Sequence, residues 1–161
     1  MASSVLTSPS VLRVRMALDA ACVAAEIVEL PGAARTARAA AEFLGCELEQ
    51  IANSLVFRAE DGGAVLVMSS GARRVDTVKL AALTGAAIGK ADADFVREHT
   101  GFAIGGVAPV GHTGTLRKYV EKSLAAWGEV WAAGGHPHTV FRLGYADLVR
   151  ITDGAECEVA A

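Results

Sequence analysis

Between Gly101 and Leu116 the chain reads "GFAIGGVAPVGHTGTL": five glycines, one proline, one histidine and no formal charge. Gly105 and Gly106 have no side chain to shield their main-chain N–H groups, and Pro109 stiffens the backbone that follows. Such a segment can present donors to a carbonyl oxygen, as an oxyanion hole requires. A tight loop in need of positive φ accounts for the same glycines, and on spacing alone that plainer account wins.

Other chemistry is hard to find. The sequence lacks a Gly-x-x-x-x-Gly-Lys-Ser/Thr phosphate loop, a Gly-x-Ser-x-Gly elbow and a His-Glu-x-x-His helix. His136 and His138 flank Pro137 without an indicated third ligand, so no metal or other cofactor is expected. His99 falls in the last turn of a predicted helix, where it complements the helix dipole. Cys22, Cys46 and Cys157 are odd in number and widely spaced, which reads as reduced thiols filling the core.

The elements that must position these groups read as follows. Ser8 and Pro9 open a helix with Val11, Val14, Leu18 and Cys22 on one face, and "EIVEL" is a short strand. Thr36 caps a helix that Gly45 stops. "QIANSLVFRA" and "AVLVMSS" form a hairpin about Asp61-Gly62-Gly63. Asp76 and Asp92 cap two short helices that end at Gly85 and Gly101. Beyond the glycine-rich segment, "RKYVEK" is a strand, and "SLAAWGEVWAAGG" is a helix with Leu124, Trp127 and Trp131 on one stripe. "HTVFRL", "YADLVRI" and "AECEV" follow as strand, helix and strand. Short helices interleaved with hairpin strands favour a mixed α/β (α+β) fold, with a curved, largely antiparallel sheet surrounded by short helices.

At 161 residues, with 52% apolar content and mean hydropathy +0.36, residues 1–161 fit one domain with ample core. Arg13 and Arg15 interrupt any N-terminal apolar region, so a cytoplasmic protein without membrane contact is expected. Net charge is −3, and only local patches around Arg73, Arg74 and Lys79 or Arg117, Lys118 and Lys122 could meet nucleic acid; ordinary solvated charge is the plainer account of both.

Taken together, "TARAAAEFLG", "QIANSLVF", "VLVMSSGARRVDTVKLAALTG", "GFAIGGVAPVGH" and "FRLGYADLVRITDG" resemble the YbaK/ProX-type aminoacyl-tRNA deacylases, which are similar to the editing domain of bacterial prolyl-tRNA synthetase. The pieces stand in family order from about Thr36 to Gly154, and "GGVAPVGH" is the most specific. The resemblance implies hydrolysis of the ester that joins a wrong amino acid to tRNA. Its implied targets are tRNA(Pro) carrying alanine, cysteine or another small residue. With no synthetase domain in the sequence, the expectation is an editor acting in trans, with mischarged tRNA as partner and prolyl-tRNA synthetase as a second.

In that family picture the main chain from Gly105 through Ala108 to Pro109 holds substrate at the scissile carbonyl, with Gly105 and Gly106 as the catalytic donors. His112 either contacts substrate or hydrogen-bonds the loop. Thr36 lies near the pocket, and Glu121 lends support from behind it. The family's strand commonly carries lysine where this chain has Asn53, which can orient water but offers no cation. The departure leaves open a second reading, a weakened module that binds tRNA or an aminoacyl ligand. A metal-dependent hydrolase using the histidines is the third. Alternation along the strand lets only one of Asn53 and Ser54 face substrate.

Overall fold

A computed structural model describes residues 5–161. Helix α1 (Pro9–Ala20) starts with Pro9 in its first turn and buries Val11, Val14 and Leu18. Ser8 occupies the cap position, but its hydroxyl makes no capping bond. Cys22 does not share the apolar face predicted for it: the helix has ended, and Cys22 is exposed at φ +57°. Strand β1 (Val28–Glu29) precedes α2 (Ala37–Leu44), where Thr36 Oγ1 accepts from Ala39 N and Gly45 closes the helix at φ +66°.

The hairpin forms as expected from β2 (Ala52–Ala59) and β3 (Ala64–Ser70). Next come α3 (Thr77–Thr84), the short β4 (Ile88–Lys90) and α4 (Ala93–Thr100). Both helices are capped by the aspartates read from sequence, with Asp76 accepting from Val78 and Lys79 and Asp92 from Phe95. The glycine-rich segment then leads into β5 (Leu116–Glu121).

One predicted helix is not there. "SLAAWGEVWAAGG" divides into a 3₁₀ turn, Lys122–Ala126, and a strand β6 (Glu129–Ala133). Gly128 interrupts the helical register. Beyond it Val130 and Ala132 are buried while Trp131 points elsewhere, the period-2 pattern of a strand. The chain ends with β7 (Thr139–Gly144), α5 (Tyr145–Thr152) and β8 (Ala155–Cys157).

The strands make two sheets instead of one curved sheet, in the orders β1-β7-β6 and β4-β2-β3-β5-β8. Pairing is antiparallel except where β5 lies parallel to β3 and β8 parallel to β5. All seven residues of β3 are buried, as a central strand covered on both faces requires. One face of the larger sheet carries Ala52, Leu66, Met68 and Val120. These pack with Val14 and Leu18 of α1, Val130 and Phe141 of the smaller sheet, and Phe102, Val107 and Ala108 of the glycine-rich segment. That segment is therefore walled on one side by core.

Strand β4 pairs only with Phe57, Arg58 and Ala59. The first half of β2 keeps an uncovered edge, and there the smaller sheet approaches, through the bridge between Ile51 and Trp131. The gap between that edge and β6 is where the fold leaves room. No helix among the described residues is long and apolar enough to cross a membrane.

Candidate active site

A cleft of about 450 Å³ occupies this gap, a volume in the range of small-molecule sites. Its walls come from the start of α2 (Arg35, Thr36, Arg38), the edge of β2 (Asn53, Leu55), the glycine-rich loop (Ile104, Gly105, Val107), strand β6 (Trp131, Ala132) and the turn before β7 (Pro137, Thr139). Among the described residues lining it there is no aspartate, glutamate, histidine, cysteine or lysine. Its ionisable side chains are Arg35 and Arg38, both exposed at the mouth. The cleft thus offers hydroxyls, on Thr36, Ser54 and Thr139, but no general base among its lining side chains to activate one.

What it offers instead is main chain. From Ala103 to Ala108, only Gly106 N donates to an acceptor among the described residues, the carbonyl of Ala103 at 2.9 Å. The N–H groups of Gly105 and Val107, both on cleft-lining residues, are uncommitted. Gly105 sits at φ +90°, a conformation that favours glycine.

Gly106 takes a different part from the one the sequence suggested. It is buried, its N–H is consumed internally, and a Cβ there would lie 2.8 Å from the main chain of His136. The residue lets the loop close against the turn that carries Pro137. Ala108 and Pro109 are also buried and line no part of the cleft. Ala108 packs in the core, and its carbonyl accepts from His112 Nε2 at 2.7 Å. A carbonyl only accepts, so Nε2 carries the proton and Nδ1 is left buried without a partner among the described residues.

His112 therefore braces the loop and borders a second, shallower depression formed with Ala17, Gly111 and Lys118. Burial pushes its pKa down to about 4, aided by the charges of Lys118 and Arg13 against the opposing pull of the Ala108 carbonyl. The imidazole is neutral at physiological pH.

Asn53 and Ser54 both border the cleft, but the Ser54 hydroxyl is turned to Met68 Sδ, at 3.3 Å. The Asn53 side chain keeps its polar group free among the described residues; alternation in a regular strand lets only one of the pair face the cleft, but at this open edge both line it. Thr36 lines the mouth; its oxygen caps α2, leaving the hydroxyl proton to donate elsewhere. Glu121 lies outside the cleft, beside the C-terminal segment. Burial would raise its pKa, but N–H groups of Ser123, Val159 and Ala160 hold it below the usual carboxylate value.

The remaining candidates fall elsewhere. His136 Nδ1 accepts from His138 N at 3.0 Å, shaping the turn beside Pro137. Burial pushes the Cys157 thiol up to about 11, reinforced by Glu121, so it is a poor nucleophile. Arg117 pairs with Asp61 at the hairpin, and Lys79 Nζ donates to Ala160 O. Arg73 and Arg74 stay exposed just past Gly71, which lines the cleft. Arg35 and Arg38 were missed in the sequence; the signal was two cations around the first turn of a helix, where the dipole disfavours them.

The uncharacterised protein YwhH of Bacillus subtilis (strain 168) is 30% identical over 123 residues, 76% of this chain and 78% of that protein. A proline–tRNA ligase of Maridesulfovibrio salexigens is 38% identical over 95 residues, spanning 58% of this chain but only 16% of the ligase. A crystal structure provisionally assigned as a trans-editing enzyme for prolyl tRNA synthetase superposes with TM-score 0.88 at 42% identity, covering 96% of this chain and 98% of that one. The family model for the aminoacyl-tRNA editing domain matches residues 32–151, and the chain belongs to that family.

Proposed function

We infer that the cleft hydrolyses the ester between an amino acid and the 3′ end of tRNA, and that the protein does so in trans, in the cytoplasm, on tRNA(Pro) carrying a small wrong residue such as alanine or cysteine. The observation that carries this is a cleft whose lining includes Gly105 and Val107, each with an N–H that has no acceptor among the described residues, and no carboxylate, imidazole or thiol among the described lining residues. An ester is activated relative to an amide, so holding water and stabilising the tetrahedral oxyanion suffices for turnover.

In this reading the N–H of Gly105 faces the developing oxyanion and Asn53 orients the attacking water. Water adds to the carbonyl carbon, the bond to the ribose oxygen breaks, and that oxygen takes up a proton, which the neighbouring hydroxyl of the terminal ribose can relay. Free amino acid and uncharged tRNA leave. Small walls such as Ala34, Ala37, Ala40 and Ala132 suit a small side chain. A synthetase needs such a second site because one methylene supplies only about 1–3 kcal/mol of discrimination.

The test is a panel of misacylated tRNAs, beginning with alanyl-, cysteinyl- and seryl-tRNA(Pro). The expected result is release of at least one amino acid well above buffer, and no release from any of them overturns the reading. Asn53, with no cation on that strand of the cleft, favours one alternative, a module that binds without turnover. In that case the unaltered chain retains tRNA without hydrolysis and Asn53→Lys restores activity.

A further inference from the structure

We propose that Arg35, Arg38, Arg73 and Arg74 form a phosphate-binding rim that receives the acceptor strand of tRNA as its 3′ end enters the cleft. The proposal rests on the deacylase reading for its partner, but its own footing is local. Arg35 and Arg38 stand at the mouth itself, on either side of the cap residue Thr36. The loop carrying Arg73 and Arg74 is held against the same helix: a Cβ on Gly71 would lie 2.7 Å from Ala37 Cβ and 2.9 Å from the Leu48 carbonyl. Two pairs of arginines are thus brought to one side of the opening by the packing of α2 on the β3–α3 loop.

All four are exposed, and none has an acidic partner within ion-pair distance among the described residues. Elsewhere Arg117 pairs with Asp61, Arg142 with Glu129 and Arg150 with Asp147, while other arginines without an ion pair among the described residues, such as Arg97, stand singly and away from the cleft lining. An unpaired guanidinium keeps its full fork of donors for a phosphate.

Arg38 also lies in the first turn of α2, which holds no acidic residue. A cation there opposes the helix dipole at a cost of about 0.3–1 kcal/mol, so stability does not explain it. A chain of net charge −3 has no general attraction for nucleic acid. Attraction must therefore be local, and this rim supplies it at the opening the 3′ end would use.

The experiment compares two substrates, alanyl-tRNA(Pro) and 2′(3′)-O-alanyl-adenosine, which has no phosphate. The unaltered chain is set beside Arg35→Gln/Arg38→Gln, Arg73→Gln/Arg74→Gln and a control on α4, Arg97→Ala. All sites are exposed, and thermal unfolding checks that each variant folds. Each rim pair is expected to raise KM on the tRNA ester about tenfold or more; Arg73→Gln/Arg74→Gln, outside the cleft lining, leaves kcat/KM on the nucleoside ester unchanged, and Arg35→Gln/Arg38→Gln, in the lining itself, loses severalfold more on the tRNA ester than on the nucleoside ester. Binding of uncharged tRNA should lose about 0.7 of its log-affinity against log-salt slope for every arginine removed. Arg97→Ala should change neither quantity.

Equal loss on both esters, or an unaltered salt slope in the rim variants, overturns the rim. Failure to hydrolyse either ester overturns the deacylase reading, and the binding arm then still decides whether the rim holds phosphate.

Discussion

Gly105 and Gly106 are neighbours of the same residue type with different duties. Gly106 is fixed by its environment, because any side chain must displace the His136 main chain. Gly105 is fixed by its backbone angle, while a Cβ there would meet Arg35 Cα at an ordinary 3.5 Å. Gly106→Ala is expected to cost about 1–3 kcal/mol, lowering Tm by roughly 2–9 °C in a domain of this size. Gly105→Ala is expected to cost only about 1–2 kcal/mol yet to reduce deacylation on the order of 10²-fold, by turning the free N–H away from the carbonyl. Thermal melts and single-turnover rates on the two variants separate these effects. The glycine pair was visible in the sequence, but the division of labour was not: the contact of Gly106 is with a residue thirty positions away.

At the scale of elements, the glycine-rich loop is held by α1 as well as by its own histidine. Arg13 Nη2 donates to Gly101 O at 2.7 Å and Nε to Gly111 O at 3.2 Å, while the guanidinium sits 5.0 Å over the Phe102 ring. One side chain thus spans both ends of the loop. Arg13→Met keeps the apolar stem and removes both bonds, so a loss of about 1–3 kcal/mol is expected. Because the loop, not the substrate, is what Arg13 touches, kcat should fall more than KM rises. A pure KM effect in steady-state deacylation would refute this role.

Caps and turns were legible from sequence because their causes are local: Thr36, Asp76 and Asp92 each bond within three residues. Strand β6 was not, since Leu124, Trp127 and Trp131 happen to fit a helical stripe. What decides the matter is pairing with β7, in the register Val130 to Leu143 and Ala132 to Phe141. The division into two sheets is equally non-local, because it depends on which strand edges stay unpaired.

For the whole molecule, the two sheets and the loop share one core and leave a single edge of β2 open, and the cleft is the consequence. Family, fold class, the loop at the site and the pair Arg73 and Arg74 could be read from the chain; Arg35, Arg38 and the position of His112 required the packing. In the proposed function the acyl group lies against free main-chain donors of this loop. The most direct measurement is amide NMR on the full chain during titration with 3′-alanylamino-3′-deoxyadenosine, a stable analogue of the ester. Large, saturable shifts are expected for the amides of Gly105 and Val107, with little change at Gly111 and His112. Binding that leaves Gly105 and Val107 unmoved, or moves only the His112 depression, would contradict that placement.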